Sequence, residues 1–401
     1  MKEVNNVNTF NFDNVEIDPL WNFGKEKELK IHQIHAYPAK FPAFVTTKAI
    51  EYAENNNIEV NSIADIFCGC GTTAVESKRN NIAYWGCDIN PVATLIARTK
   101  SKKYQLARLR NYYSEISACF NKKRIANQYE QANERLKYWY PKEQYNKIFY
   151  LKEIINQYTP SHSDYQDFFL CAFSNILKPA SKWLTKSIKP QVDPDKELAD
   201  VFNLFKLQYE KMIKAIEEIP FEGEADNEIF TCNFLDESCD FQKADMIITS
   251  PPYVTSYEYA DLHQLSSLWL DYADDFKLLR NGTIGSMYID FEKELDKLNN
   301  TGKKIVENLK KRPKDKARSV TKYFLDMQTV TKKTKNILNN KGLALFVIGN
   351  TEYKGVKIDN VRHLAEFLFN AGYSSVSVSK RKISSKMLTP YRDKNGKFCL
   401  L

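Results

Sequence analysis

Long apolar runs are missing from this chain of 401 residues. No stretch approaches the ~18–20 consecutive apolar residues that a membrane-spanning helix needs. The polar, acidic N-terminus lacks the apolar segment of a signal peptide. Internal repeats and low-complexity tracts are also absent. These absences exclude a membrane-spanning or repetitive protein and predict a soluble, cytoplasmic one.

Paired cysteines are missing as well. The chain has 8 cysteines, none with C-x-x-C spacing, and most lie in apolar, strand-like context. Cys68 and Cys70 are too close together for a tetrahedral zinc site and lack a second pair. We therefore expect reduced core thiols, with neither disulfides nor a metal.

The composition that remains is ordinary for a globular protein, with 43% hydrophobic and 27% charged residues. The net charge of +8 is a mild indication of a polyanionic partner. At ~100–200 residues per domain, the length allows two or three domains.

The most informative stretch of the sequence is one strand and the rigid loop after it. The apolar run 246–248 stops at Ser250, and Pro251, Pro252 and Tyr253 follow. Two prolines cannot continue a sheet ladder, so the strand should end at the carboxyl edge, where α/β sheets bind ligands. The loop offers a hydroxyl, fixed carbonyls and an aromatic ring, which suit a flat heterocycle with an exocyclic amine. A proline-rich turn without a ligand is the alternative.

A second ligand-binding pattern covers residues 62–91, which read as strand, glycine turn, helix and strand. Gly69 and Gly71 allow a tight turn, and Thr72 can cap the helix whose amides then face the site. Asp88 closes the second strand, where a carboxylate suits a ribose diol. The unit predicts a nucleoside cofactor but does not by itself separate a nicotinamide cofactor from S-adenosylmethionine.

A lysine and an aromatic ring precede this unit in an extended segment. Pro38 and Pro42 bracket Lys40 and Phe41, and an amphipathic helix follows. These side chains could line a cofactor pocket. The alternative is a rigid N-terminal clamp that only packs.

The rest of the chain predicts an α/β core split by a helical insertion. We expect a loosely structured lead-in over 1–30, core over 31–100 and 225–401, and the insertion over 101–224. Further core elements are expected as strands at 228–232 and 342–348 (the latter fully buried), a helix at 360–369, and a terminal strand pair at 373–379 and 382–383. His263 is expected to be a packing residue.

Basic residues occur in the insertion and in two later stretches. Residues 303–322 hold nine Lys or Arg against two acids, and 380–397 hold seven against one. The basic residues of the insertion region are Lys100, Lys102, Lys103, Lys122, Lys123, Arg124, Lys182, Lys186 and Lys189. They could contact a phosphate backbone, or they could be solvated helix faces.

Taken in order, the motifs resemble the S-adenosylmethionine-dependent amino-methyltransferases of DNA, in particular the cytosine-N4-specific branch. HAYPAKFP resembles the N-terminal cofactor segment, DIFCGCGTT the D-x-F-x-G-x-G-T cofactor loop, CDINP the ribose-binding acid, and TSPPY the catalytic loop. The resemblance covers nearly the whole chain. It implies an α/β fold with a Rossmann-like, seven-stranded sheet, parallel except for one strand near the C-terminus.

The resemblance also implies two sets of site residues. The residues expected to bind S-adenosyl-L-methionine are Tyr37, Pro38, Lys40, Phe41, Asp65, Phe67, Cys68, Gly69, Gly71, Thr72, Asp88, Ile89 and Asn233. The residues expected to be catalytic are Ser250, Pro251, Pro252 and Tyr253. At Cys232 and Asn233 many relatives have an acidic residue that meets the adenine amine, so the side chain with that role stays open.

The implied activity is methyl transfer to the N4 amine of cytosine in double-stranded DNA, with base flipping and a cognate restriction endonuclease as a potential partner. A serine at position 250 favours cytosine over adenine by analogy only. The alternatives are an adenine-N6 or RNA base methyltransferase on the same scaffold, a catalytically silent DNA-binding protein, and a dehydrogenase. Nothing explains the SPPY loop in a dehydrogenase.

Overall fold

The computed structural model describes residues 1–22, 27–38, 40–120, 125–219, 221, 223–254, 259–285, 291–311 and 314–382. Lys122, Lys123 and Arg124, the predicted strand residue at 383 and most of the basic tail lie outside these ranges. None of the described helices is long and apolar enough to cross a membrane.

The described strands form one parallel sheet and two small antiparallel pairs. The strands are β1 (Lys2–Glu3), β2 (Ser62–Asp65), β3 (Ala83–Asp88), β4 (Asn227–Thr231), β5 (Ala244–Thr249), β6 (Leu338–Phe346), β7 (Thr351–Tyr353), β8 (Val356–Ile358) and β9 (Ser377–Val378). The parallel sheet has the order β4-β3-β2-β5-β6, and β7-β8 and β1-β9 pair separately. The predicted α/β, Rossmann-like fold is confirmed. Where seven strands were predicted, the described residues form a sheet of five.

Helices cover the sheet and form the long segment between β3 and β4. They are α1 (Phe44–Asn55), α2 (Thr72–Arg79), α3 (Pro91–Ser101), α4 (Leu106–Ala118), α5 (Glu134–Trp139), α6 (Lys142–Tyr158), α7 (Asp164–Leu177), α8 (Val201–Glu217), α9 (Tyr259–Leu262), α10 (Gln264–Trp269), α11 (Phe291–Glu294), α12 (Asn300–Lys310), α13 (Lys314–Ile337) and α14 (Asn360–Asn370). Helices α4 to α8 lie in the predicted insertion, whose boundaries as a domain stay a prediction.

The helical segment shares its hydrophobic core with the sheet domain. Val92 and Leu95 of α3 belong to the same buried cluster as Phe168 and Phe169 of α7. Helix α3 begins sharply because Pro91 is its first residue and the Asn90 side chain accepts from the amide of its second residue, Val92. One continuous core therefore extends from the helices that cover the sheet into the insertion.

Strand β6 differs from its prediction. Its apolar sequence suggested a fully buried strand, but residues 342–346 are only half-buried. The reason is its place at the edge of the five-stranded sheet, where β5 is its one partner among the described strands. An apolar run alone does not distinguish a central strand from a partly covered edge strand.

The N-terminal segment is also more ordered than predicted. Val4 and Phe12 are buried, and β1 pairs with β9. Arg362 of α14 donates to the carbonyl of Val7 at 2.6 Å. Residues 1–22 therefore pack on the C-terminal part of the described fold and are not a loose lead-in.

Candidate functional site

A cleft opens where β2, β3 and β5 reach the carboxyl edge of the sheet, with a cavity volume of about 200 Å³. The predicted site residues in its wall are Tyr37, Lys40, Phe41, Phe67, Cys68, Gly69, Thr72, Asp88, Ile89, Asn233, Ser250, Pro252 and Tyr253. Four predicted residues do not line it: Pro38, Asp65, Gly71 and Pro251. The fold therefore brings the predicted cofactor residues and the SPPY loop to one place.

Asp88 ends β3 and projects into the cleft wall. One carboxylate oxygen accepts the amide of Gly69 at 3.0 Å, and the other accepts the amide of Asn90 at 2.8 Å. Burial raises the pKa of Asp88 to about 6, against the effect of these two hydrogen bonds. The carboxylate is thus fixed in direction, and each oxygen keeps a further lone pair for a ligand hydroxyl.

The two glycines of the turn have different functions. Gly69 has a φ of +48° and lies in the cleft wall, against the ring of Tyr37. Gly71 has a φ of +75°, and a Cβ there would lie 2.7 Å from the α-carbon of Ala97. Gly71 therefore allows helix α3 to approach the turn, and it does not line the cleft.

Asp65 lies behind the turn and is 1% exposed. Its carboxylate accepts from the hydroxyls of Thr249 at 2.7 Å and Thr73 at 2.9 Å, and from the amide of Phe67 at 3.2 Å. Burial raises its pKa to about 7, although all three hydrogen bonds oppose the shift. Asp65 thus joins the ends of β2 and β5 to the start of α2.

Lys100 corrects one expectation, because it does not face solvent or phosphate. It is 1% exposed, and its ammonium donates to the carbonyl of Cys70 at 2.9 Å. Burial lowers its pKa. Lys100 follows Ile96 by four residues, so the two side chains share the apolar face of α3. This spacing could have predicted the burial of Lys100, but the basic residues around it suggested a surface position.

Ser250 lies directly after β5. Its hydroxyl donates to the carbonyl of Val347 at 2.9 Å, so its proton is already engaged and its lone pairs can accept. Pro251 is buried, whereas Pro252 and the 39% exposed Tyr253 line the cleft. The loop therefore presents an acceptor and an aromatic ring at the cleft.

An aromatic stack forms a part of the site that sequence reasoning missed. The Tyr37 ring stacks on His263, with centroids 5.3 Å apart, and on Tyr259, with centroids 6.3 Å apart. His263 is a buried packing residue, as predicted, and burial lowers its pKa to about 4, so its ring is neutral near pH 7. The many aromatic residues around position 259 in the sequence could have indicated this stack.

Asn233 has both ends of its amide engaged with the backbone. Its nitrogen donates to the carbonyl of Gly282 at 3.2 Å, and its oxygen accepts the amide of Leu235 at 3.0 Å. The side chain thus fixes the segment around Gly282 as a wall of the cleft. Across the described residues, no group of three or more His, Cys, Asp or Glu could hold a metal ion.

Comparison with known proteins supports the same class as the fold and the cleft. Residues 2–98 match a family model described as DNA methylase. The predicted resemblance to DNA amino-methyltransferases is confirmed, while the cytosine-N4 branch stays a prediction.

Two curated relatives carry the comparison further. The chain is 24% identical to the Type II methyltransferase M.MvaI of Kocuria varians, over 90% of this chain and 86% of that protein. It is 36% identical over 87 residues to the Type II methyltransferase M.MjaII of Methanocaldococcus jannaschii, over 21% of this chain and 16% of that protein. The first similarity extends through the insertion and both halves of the core.

Proposed function

We propose that this chain is a site-specific DNA methyltransferase that transfers a methyl group from S-adenosylmethionine to the N4 amine of cytosine in duplex DNA. The main observation that supports this proposal is that the Ser250 acceptor and the Asp88 carboxylate line one cleft at the carboxyl edge of the sheet. The two relatives named above are both Type II methyltransferases, which supports a role in a restriction-modification system. A cognate restriction endonuclease would then recognise the same DNA site.

The cleft has the donor and acceptor set that S-adenosylmethionine needs. The Asp88 carboxylate suits a ribose diol, and Gly69 lets the backbone lie close to the ligand. Phe67, Ile89 and Phe234 supply apolar surface for an adenine ring. When bound, the cofactor would supply an electrophilic methyl group on a sulfonium.

Ser250 would activate the target amine. The exocyclic nitrogen is a poor nucleophile because its lone pair is delocalised into the ring. Accepting an N–H group at the Ser250 hydroxyl would favour a tetrahedral nitrogen and free that lone pair, whereas the Pro251 carbonyl, expected as a second acceptor, belongs to a residue outside the cleft wall. The remaining requirement is in-line placement, which is a matter of positioning and electrostatics.

Tyr253 would stack on the target base. A base inside a duplex cannot reach this cleft, so the base must leave the helix, at a cost of a few kcal/mol. The 39% exposed ring of Tyr253 lies at the cleft and offers the stacking surface that offsets part of this cost.

The decisive test is sequencing of DNA from cells that express this chain, by a method that distinguishes N4-methylcytosine from N6-methyladenine. We expect N4-methylcytosine at one short recognition site. N6-methyladenine at a defined site would establish the alternative specificity. A lack of any new modified base, with the purified chain also inactive on RNA, would favour a silent DNA-binding protein.

Asp88→Ala is expected to weaken cofactor binding by ~1.5–3 kcal/mol, because charge-assisted hydrogen bonds are lost. Since burial raises the pKa of Asp88 to about 6, wild-type affinity should be highest above pH 6 and fall as pH drops through that value. In Asp88→Asn this pH-dependent fall in cofactor affinity should disappear. Isothermal titration calorimetry across pH 5–8 measures both effects, with Asp195→Ala, at an exposed carboxylate, as the control.

Unchanged affinity in a folded Asp88→Ala protein would remove Asp88 from the cofactor site. If the cofactor affinity of Asp88→Asn still falls as the pH drops, the group that titrates is a different residue.

DNA affinity should fall steeply with salt if the basic stretch 303–322 contacts the duplex. This stretch reaches the site, because Lys316 lines the cleft. Lys304 and Lys311 of the same stretch are exposed. The slope of log affinity against log salt should be about −0.9 per phosphate neutralised. Lys304→Ala and Lys311→Ala should each reduce that slope by about one.

Lys243→Ala is the matched control for these variants, because this exposed lysine precedes β5 at the opposite end of the strand from Ser250. Fluorescence anisotropy with labelled duplex over a salt series gives the slopes. Equal slopes in all the variants and the wild type would show that the stretch is only solvated surface.

A further inference from the structure

Tyr37 reaches the cleft on a stretch of chain without regular secondary structure. Residues 34–37 belong to neither a helix nor a strand. The Tyr37 ring nevertheless has a defined place in the cleft wall, where a Cβ on Gly69 would lie 3.5 Å from it. Because no helix or sheet ladder holds this backbone, the position of the ring depends on side chains from other parts of the chain.

Two side-chain amides of the insertion bind the backbone of this stretch. The side-chain oxygen of Asn175, on α7, accepts the amide of Ala36 at 3.0 Å. The side chain of Gln208, on α8, donates to the carbonyl of Ile34 at 2.6 Å. The nitrogen of the Asn175 side chain also donates to the Gln208 side-chain oxygen, at 2.7 Å. Every polar atom of the two side chains therefore has a partner, which fixes the orientation of both amides.

A second polar link joins the same stretch to the helix that follows the SPPY loop. The Nε2 atom of His35 lies 3.0 Å from the hydroxyl of Ser174 on α7, and that hydroxyl lies 2.7 Å from the hydroxyl of Ser266 on α10. Both serines are buried. Burial lowers the pKa of His35 to about 3, so its ring is neutral near pH 7. Helix α7 thus connects the stretch before Tyr37 with the helix next to His263.

Apolar packing fixes the start of this stretch against the insertion as well. Ile34 is fully buried and belongs to the same hydrophobic cluster as Phe169 and Phe173 of α7. An insertion that served only to contact DNA would need neither this packing nor the polar links to residues 34–37. The contacts therefore indicate a function of the insertion at the cleft itself.

We propose that Asn175 and Gln208 are positioning residues for the cofactor, because they hold residues 34–37 so that the Tyr37 ring closes the cleft beside the glycine turn. This inference rests on the proposed function, which assigns S-adenosylmethionine to the cleft. Neither amide is among the described residues that line the cleft, so both would act through Tyr37. The insertion would then be a part of the cofactor site, whether or not it also reads DNA.

The effect should fall on cofactor binding and not on methyl transfer. A ring that is held in place before the ligand arrives loses less conformational freedom when the ligand binds. Without the two amides, the stretch around Tyr37 would have to be ordered by the cofactor, at the expense of affinity. Once the cofactor is bound, the groups around Ser250 would have their native positions, so the rate of transfer should be preserved.

The test compares two variants with a control inside the insertion. Asn175→Ala removes both polar atoms of that amide, and Gln208→Met removes the second amide and keeps its length. The control is Gln144→Ala, because this buried amide of α6 donates only to carbonyls within the insertion, those of Ala180 at 3.1 Å and Ala199 at 2.9 Å. Isothermal titration calorimetry with S-adenosylhomocysteine measures affinity, and steady-state kinetics separates KM for S-adenosylmethionine from kcat.

Asn175→Ala and Gln208→Met should each weaken binding by about 3- to 10-fold, as expected for one net hydrogen bond. KM should rise by the same factor, while kcat stays within about twofold of wild type. In a Tyr37→Ala background, Asn175→Ala should cause almost no further loss, because the ring through which it acts is missing. Gln144→Ala should lower the melting temperature and keep the wild-type affinity.

Three results would overturn the inference. Losses that add fully in the Tyr37→Ala background would show that the amides do not act through the ring. An equal loss of affinity in Gln144→Ala would assign the effect to general destabilisation of the insertion. Native affinity in folded Asn175→Ala and Gln208→Met would remove both residues from this role, and if Asn175→Ala does not fold, Gln208→Met decides alone. The proposed function fails separately, if the wild-type chain binds no S-adenosylmethionine or methylates no cytosine.

Discussion

Ser250→Ala is expected to slow methyl transfer by about 100- to 1000-fold, equivalent to roughly 2.7–4 kcal/mol by analogy with the loss of one oxyanion-hole donor. Cofactor and DNA binding should be largely unchanged. The hydroxyl acts as the amine nitrogen becomes tetrahedral, so its loss falls on the chemical step. Its proton is held by the Val347 carbonyl, which leaves the oxygen as an acceptor. Single-turnover transfer from labelled cofactor, with binding measured in parallel, gives the result.

Two further variants make this experiment specific. Ser374→Ala, at an exposed serine far along the chain, should behave as wild type. Tyr253→Ala should weaken capture of the flipped base as well as transfer, because stacking is worth ~1–3 kcal/mol per base. If Ser250→Ala transferred methyl at the native rate, the SPPY loop would not activate the amine, and the cytosine-N4 proposal would fail with it.

Asp65→Ala is expected to reduce the free energy of unfolding by about 3 kcal/mol or more, because three donors lose a buried acceptor at once. The donors belong to Thr249, Thr73 and Phe67, so the hydrogen bonds that connect β2, β5 and α2 through Asp65 would be lost. Urea unfolding followed by circular dichroism measures the loss. A variant of native stability that had lost only cofactor affinity would place Asp65 in the cofactor site after all.

The stability also has a pH dependence with a definite sign. Burial raises the pKa of Asp65 from 3.8 to about 7, so the folded state holds this proton to higher pH than the unfolded state does. The contribution of this carboxyl to stability is therefore largest below pH 3.8, decreases as the pH rises to about 7, and is constant above it. Asp65→Asn should remove this component, which a comparison of urea unfolding at pH 5 and pH 8 would show.

Local sequence chemistry predicted the features that lie at strand ends. The Ser250 loop and Asp88 were found because prolines or an acid close an apolar run, and such places meet at one edge of a parallel sheet. The strands β2 to β5 lie close to their predicted positions for the same reason. The fold adds the relative positions of these segments: Tyr37, Asn233 and the SPPY loop lie around one cleft.

The residues that were misplaced are those whose environment depends on distant packing. Lys100 was taken for a surface charge, but α3 turns it toward the carbonyl of Cys70. Asp65 and Gly71 were assigned to the cofactor site by the resemblance to the D-x-F-x-G-x-G-T loop, and neither lines the cleft. Their actual partners are Thr249, 184 residues away, and Ala97 on a later helix. Such pairings are decided by the tertiary fold, which no local pattern contains.

The core that α3 and α7 share limits how the specificity of this chain can evolve. Recognition segments that fold as separate modules can be exchanged between enzymes without disturbing catalysis. Here, removal of α7 would uncover Val92 and Leu95, on the helix that also carries Lys100 to the back of the glycine turn. If the insertion reads DNA, new specificities must arise by substitution on its surface, because exchange of the whole segment would also dismantle the support of the proposed cofactor site.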